Sequence, residues 1–121
     1  MCVLRSGAAP GETDAMLLSQ CPVSATLRVI GGKWKPLILN ELKGGTLRYG
    51  QLRRRIPEAS HKVLTEQLRQ LEQVGIVERN LYHETILRSE YQLTSYGESL
   101  RPILQALCDW GVRHRRLRRA A

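Results

Sequence analysis

The sequence predicts a mainly helical α+β domain with one small β-sheet, and three observations predict it. Leu64, Leu68, Leu71 and Val74 recur at spacings of four, three and three, which places them on one helical stripe with polar residues opposite. Two alternating runs, IVERNLYH and ILRSEYQLT, flank a few polar residues, as the strands of a β-hairpin do. Gly31-Gly32, Gly44-Gly45, Pro57 and Gly75 cut the remainder into helix-sized pieces.

Each element has a local reason. The opening MCVLRSGAAPGETDA lacks the apolar core of a secretory signal, and residues 1–19 read as a flexible leader. Pro22 suits a first helical turn, where its missing N–H costs nothing, so Cys21 stands near an N-cap and Val23 to Ile30 reads as a short helix. A second helix runs from about Lys33 to Leu42. Trp34, Leu37, Ile38, Leu39 and Leu42 make it apolar over much of its circumference, so it is expected at the centre of the core. Thr46-Leu47-Arg48 is short and extended and can add one strand to a small sheet. Tyr49 to Ile56 reads as a third helix. Ser60 is placed as the N-cap of a fourth, because its hydroxyl can accept from the free backbone N–H groups of the turn that follows. The hairpin comes next, with His83-Glu84-Thr85 as its loop. Thr94 then caps a terminal helix carrying Leu100, Ile103, Leu104, Leu107 and Trp110, which Pro102 should kink or delay. Residues 113–121 are assigned to a basic tail. Helix, helix, short strand, helix, helix, hairpin, helix is the order of a winged helix-turn-helix domain, here spanning residues 20–112.

At 121 residues the chain accommodates one compact domain, and its 42% apolar residues suffice for a core. Nineteen Lys and Arg against eleven Asp and Glu give a formal charge of +8. A surplus of that size draws polyanions, nucleic acid before an anionic membrane, although a solvated basic surface has the same composition. No apolar run approaches the roughly 20 residues of a membrane span. Cys2, Cys21 and Cys108 form no CxxC pair and leave one thiol over, which argues against a disulfide framework and for a reducing cytoplasm. His61, His83 and His114 make no metal-ligand spacing with them. There is no paired-carboxylate motif, GxSxG or phosphate-cradling glycine loop, so no catalytic set, metal or cofactor is expected.

The pattern that can carry function is the segment from Ser60 to Gln73. Reading duplex DNA takes an amphipathic helix held against the major groove, with its N-terminal residues at the base edges. His61, Lys62 and Thr65 are the base-edge candidates, with Gln67 and Arg69 beside them and Ser60 at the cap. A lone amphipathic helix is more commonly a solvated face, but here its neighbours are basic as well. Arg53, Arg54 and Arg55 precede it, either as a wet face or as phosphate clamps across Pro57-Glu58-Ala59. Arg79, His83 and Arg88 lie on the hairpin, either solubilising its end or meeting the DNA backbone or minor groove. The arginines of GVRHRRLRRAA read as a second DNA patch, a frayed tail or favourable charge at a helix C-terminus; the frayed tail is preferred.

Several motifs in a fixed order now become specific: CPVSATLRVIGGKWKPLILNEL, LRYGQLRRRIP, SHKVLTEQLRQLEQVGIVER, SEYQLTSYGESL and ALCDWG. Together they resemble the HxlR-type family of winged-helix transcription regulators, relatives of the MarR type, from about Cys21 to Gly111. The resemblance implies a cytoplasmic homodimer that binds a roughly palindromic operator in double-stranded DNA, as repressor or activator. It places the recognition helix at Ser60 to Gln73, the wing at Val77 to Leu93, and the dimer interface on the first and terminal helices. The family's wing often has proline before its Arg-x-Glu-Tyr stretch; this chain has Ile86-Leu87, so Arg88 carries over with less support. The family also usually carries a cysteine at the position of Cys21, which in several members senses oxidants or electrophiles. A thiol at a helix N-terminus has a lowered pKa, which suits sensing, and it can equally be a small apolar residue packed beside Pro22. Cys108, in an apolar helix, is expected in the core. A small-molecule or oxidant effector is compatible with this reading. The competing one is a winged-helix module that binds a protein, or nucleic acid without sequence choice.

Overall fold

The computed structural model describes residues 21–83 and 87–120. Cys21 is the N-cap of α1 (Pro22–Ile30), whose first turn holds Pro22. Next come α2 (Lys35–Leu42), β1 (Leu47–Arg48), α3 (Tyr49–Arg55) and α4 (His61–Gln73). They are followed by β2 (Val77–His83), β3 (Leu87–Leu93), α5 (Ser95–Glu98) and α6 (Arg101–Ala120). The antiparallel sheet has the order β1-β3-β2, with Leu47 opposite Tyr91, Arg48 opposite Glu90, and Arg79 opposite Tyr91 on the other side. This is the mainly helical fold with a small sheet that the element order implies. Of the expected hairpin loop, Glu84 and Thr85 lie outside the described residues, as does the leader of residues 1–19.

One apolar cluster holds these elements together. Ile38, Leu39 and Leu42 of α2 meet Leu52 of α3, Leu64, Leu68 and Leu71 of α4, and Ile76 and Val77 at the start of β2. Leu68 is 1% exposed, and truncating such a side chain to alanine costs about 2–5 kcal/mol. Val74, placed on the same stripe by its spacing, is 48% exposed instead. It is the C-cap, where ψ of 0° takes the chain off the helical screw.

The two ends of α4 are fixed by local chemistry. Ser60 Oγ accepts from the Val63 N–H at 3.1 Å, the N-cap read from the sequence. At the other end Gly75 adopts φ of 80°, a left-handed conformation that glycine takes without a Cβ penalty. Thr94 Oγ1 donates to the Gly75 carbonyl at 2.5 Å and accepts from the Gly97 N–H at 2.9 Å. It thereby ties the base of the hairpin to the end of α4. Gly97 packs so closely that an added Cβ would lie 2.1 Å from the Ile76 carbonyl oxygen. These contacts set the angle between the hairpin and α4.

The terminal segment corrects three expectations. Thr94 caps the short α5, and Pro102 falls in the first turn of α6, so proline delays the long helix and does not kink it. Arg101 fills the gap, pairing with Glu98 at 2.7 Å and donating to the Lys43 carbonyl at 2.7 Å. The arginines assigned to a basic tail are helical through Ala120. Arginine is a good helix former and its charge is favourable near a helix C-terminus. Cys108 is an exposed free thiol, not a core residue. Beyond Leu104, α6 leaves the domain's core, and Leu107, Trp110 and Leu117 are exposed as well.

Candidate nucleic-acid interface

The start of α4, the helix α3 and the hairpin enclose an open cleft of about 500 Å³. Arg54, His61, Thr65, Arg79 and Arg88 line it, joined by Arg48, Tyr49, Gln51 and Tyr91. Three separate elements thus bring five of the sequence-predicted site residues to one surface. None of the lining residues is a carboxylate.

A carboxylate does stand behind the rim. Glu90, on β3 opposite Arg48, lies 3.9 Å from Arg48 Nε and 3.6 Å from Arg88 Nε. One negative charge between two cations orients both and neutralises neither fully. Arg88 also sits 5.1 Å from the centre of the Tyr82 ring. Arg79 lies 3.9 Å from Glu72. Arg48 and Arg79 are about half exposed in long pairs that contribute little stability, so their cations stay available to an incoming polyanion, whereas Arg88 is more enclosed against the largely covered Glu90. Burial raises the pKa of the Tyr91 phenol, which keeps it a neutral hydroxyl at the cleft floor.

The other predicted residues are arranged differently. Ser60 has its hydroxyl engaged as the N-cap. Lys62 is exposed, Gln67 is half-buried, and neither lines the cleft. Arg53 is exposed outside it. Arg69 is held by Glu66 in a two-pronged pair, Nε to Oε2 at 3.1 Å and Nη2 to Oε1 at 2.6 Å. Hydrogen bonds from Arg69 and Gln70 hold the Glu66 carboxyl down at about 2. A ligand must displace that carboxylate before the Arg69 fork is free.

Arg48, Tyr49, Gln51 and Tyr91 line the cleft without being singled out by the sequence as site residues. Arg48 caps α3 as part of the strand-to-helix turn, its backbone N–H donating to Gln51 Oε1 at 2.8 Å. Tyr49 hydrogen-bonds through its hydroxyl to His61 Nδ1, and the two rings meet edge to face at 5.3 Å and 86°. Arg48 sits in a short run whose only local signal is its extended character, and nothing local marks it as a partner of Glu90. Cys21, half-buried at the N-cap of α1, is disulfide-bonded, which corrects the reading of the cysteines as unbridged. Cysteine count and spacing carry no distance information, so they could not decide that point. Cys2 lies outside the described residues. Among the described residues no group of His, Cys, Asp and Glu is placed to hold a metal ion.

An exposed helix start flanked by cations on a preceding helix and on a β-wing offers hydrogen-bonding groups to base edges and positive charge to phosphates. Fold and site together define a winged helix-turn-helix DNA-binding domain. Residues 29–118 match the HxlR-like helix-turn-helix family, and the chain belongs to it. It is 48% identical over 91 residues to an HTH-type transcriptional regulator of Methanothermobacter thermautotrophicus, covering 75% of this chain and 70% of that one. It is 48% identical over 92 residues to the regulator YtcD of Bacillus subtilis, covering 76% of this chain and 73% of the other. Among solved structures, the reduced form of the redox regulator HypR superposes with a TM-score of 0.77 at 40% identity, over 83% of this chain and 99% of that one. Diamide-treated YodB from B. subtilis superposes at 0.64 and 30% identity, over 85% and 95%. The chain is a DNA-binding transcriptional regulator of this family. No helix among the described residues is long and apolar enough to cross a membrane.

Proposed function

We propose that the protein works as a cytoplasmic homodimer, without enzymatic activity, that reads a roughly palindromic operator with one α4 in each half-site. The observation that carries this reading is the convergence of Arg54, Arg79 and Arg88 with His61 and Thr65 on one cleft beside the start of α4. In this reading His61, Lys62 and Thr65 meet base edges, with Ser60, Gln67 and Arg69 flanking them. Arg54, Arg79 and Arg88, joined in the cleft by Arg48, hold phosphates, and Arg53 flanks them outside the cleft. The dimer is supported by the exposed apolar side chains Val23 and Leu27 of α1 and Ile103, Leu107 and Trp110 of α6. A monomer rarely leaves so much apolar surface open to water. A groove of about 230 Å³ between α1 and α6, lined by Val29, Tyr96, Leu100 and Ile103 among others, is where a small apolar effector would bear on that interface.

The test is the double variant His61→Ala with Thr65→Ala, assayed on operator and random duplex. Loss of discrimination with retained random binding supports base reading; unchanged discrimination overturns it. We further propose that Cys21, once its disulfide is reduced to the thiol, is the residue at which oxidant or quinone modification releases DNA. It is supported by the placement of Cys21 at the start of α1 and by the likeness to regulators solved in reduced and oxidised or diamide-treated forms. Cys21→Ser should abolish the oxidant response and keep DNA binding, and a response that persists rejects the sensor.

A further inference from the structure

We propose that Tyr49 is a positioning residue for base selection: it fixes the imidazole of His61 so that His61 favours guanine over cytosine at the base pair it meets. The inference rests on the reading of α4 as the base-reading helix given above. It goes beyond that reading by assigning a second residue and the sense of the preference.

Tyr49 opens α3 and His61 opens α4, so the pair bridges the two helices across the turn between them. Tyr49 packs against the apolar core cluster, while His61 is exposed. The imidazole is therefore anchored from the protein side twice, by the hydroxyl on Nδ1 and by the edge-to-face ring contact. A neutral imidazole has one nitrogen that donates and one that accepts, and the partner of one decides the role of the other. A phenol is a better donor than acceptor, and a bare imidazole nitrogen is a better acceptor than a phenol oxygen. The Tyr49 O–H thus donates to Nδ1, and the proton of the ring sits on Nε2. If the ring takes up a second proton, Nδ1–H donates to the phenol oxygen and Nε2 is still a donor. Either protonation state shows the groove an N–H.

The major groove converts that polarity into a choice. Guanine presents two acceptors there, N7 and O6, whereas cytosine presents only its amino donor. A fixed N–H donor meets a partner on guanine and an opposing donor on cytosine. One neutral hydrogen bond corresponds to a preference of about 3- to 10-fold.

The experiment uses the full chain and an operator selected from genomic fragments, with every single base-pair variant measured at one salt concentration. Wild type, Tyr49→Phe, His61→Ala and the double variant are compared. Phenylalanine retains the ring and removes only the hydroxyl. The expected result is one step per half-site where wild type favours guanine over cytosine by about 3- to 10-fold. His61→Ala should abolish that preference, Tyr49→Phe should reduce it several-fold, and Tyr49→Phe should add nothing in the His61→Ala background. His61→Gln, whose amide can turn either a donor or an acceptor outward, should bind without the preference. A preference unchanged in Tyr49→Phe overturns the inference, as does a Tyr49→Phe effect that persists without His61. So does a His61→Ala variant weakened equally on all sequences, which marks a phosphate contact. Wild type that binds operator no better than random duplex fails the underlying reading instead, and the two failures are distinct.

Discussion

Arg54→Ala should flatten the salt dependence of operator binding, and its neighbour Arg55→Ala should not. Arg53, Arg54 and Arg55 are indistinguishable in sequence, and the fold separates them. Arg54 lines the cleft with Arg48, Arg79 and Arg88. Arg55 turns the other way, its Nη1 3.3 Å from Glu41 Oε2. With one phosphate neutralised by each of these four cleft arginines, a dimer neutralises eight. Log affinity then falls against log salt with a slope of about −7, or roughly 10⁴-fold between about 50 and 200 mM salt. Arg54→Ala removes two of the eight contacts, so the slope relaxes to about −5 and the loss over the same range shrinks to roughly 10³-fold. Fluorescence anisotropy of a labelled operator across a salt series measures both slopes. Equal flattening by Arg55→Ala, or an unchanged slope in Arg54→Ala, would refute the division of that run by the fold.

Gly97→Ala should destabilise the domain, because its Cβ would lie 2.1 Å from the Ile76 carbonyl. The cost is about 2–3 kcal/mol, a fall in Tm of roughly 10 °C by thermal denaturation; a neutral variant would mean that α5 is not pinned there. The Glu66 carboxyl should titrate at about 2 by NMR, and Arg69→Ala should return it toward the ordinary carboxylate range. Since its folded pKa is depressed, its contribution to stability is present above the unfolded value and fades as pH falls through about 2. An unchanged midpoint in Arg69→Ala contradicts the pair. Leu107→Asp, at a side chain 51% exposed in the single chain, should shift dimer to monomer by sedimentation with helicity retained. The dissociation constant should rise about 100-fold or more, because a carboxylate is costly against apolar surface. A variant that stays dimeric moves the interface off α6.

Local chemistry was legible where one residue decides the outcome. Ser60 as N-cap, Gly75 as helix stop and the alternating runs of the hairpin follow from side-chain chemistry and period, and the structure has all three. The stripe of α4 was legible to its last turn and failed at Val74, one residue beyond the helix, where the period no longer applies. What stayed hidden depends on pairing between distant segments. Arg48 becomes a cleft residue only once β1 lies against β3 and sets it opposite Glu90. Tyr49 meets His61 only through the packing of two helices. Cys108 read as core because an apolar stripe implies a cover, and period alone does not say that α6 runs past the domain it belongs to.

Chemical protection of guanine N7 on the selected operator tests the central claim most directly, because dimethyl sulfate reaches that atom only from the major groove. The account predicts two protected clusters related by two-fold symmetry and centred about one helical turn, 10–10.5 base pairs, or a multiple of it apart. The protection in each cluster should be lost with His61→Ala and Thr65→Ala. Bound DNA with every guanine N7 still reactive, or one unsymmetrical cluster indifferent to those residues, would contradict it.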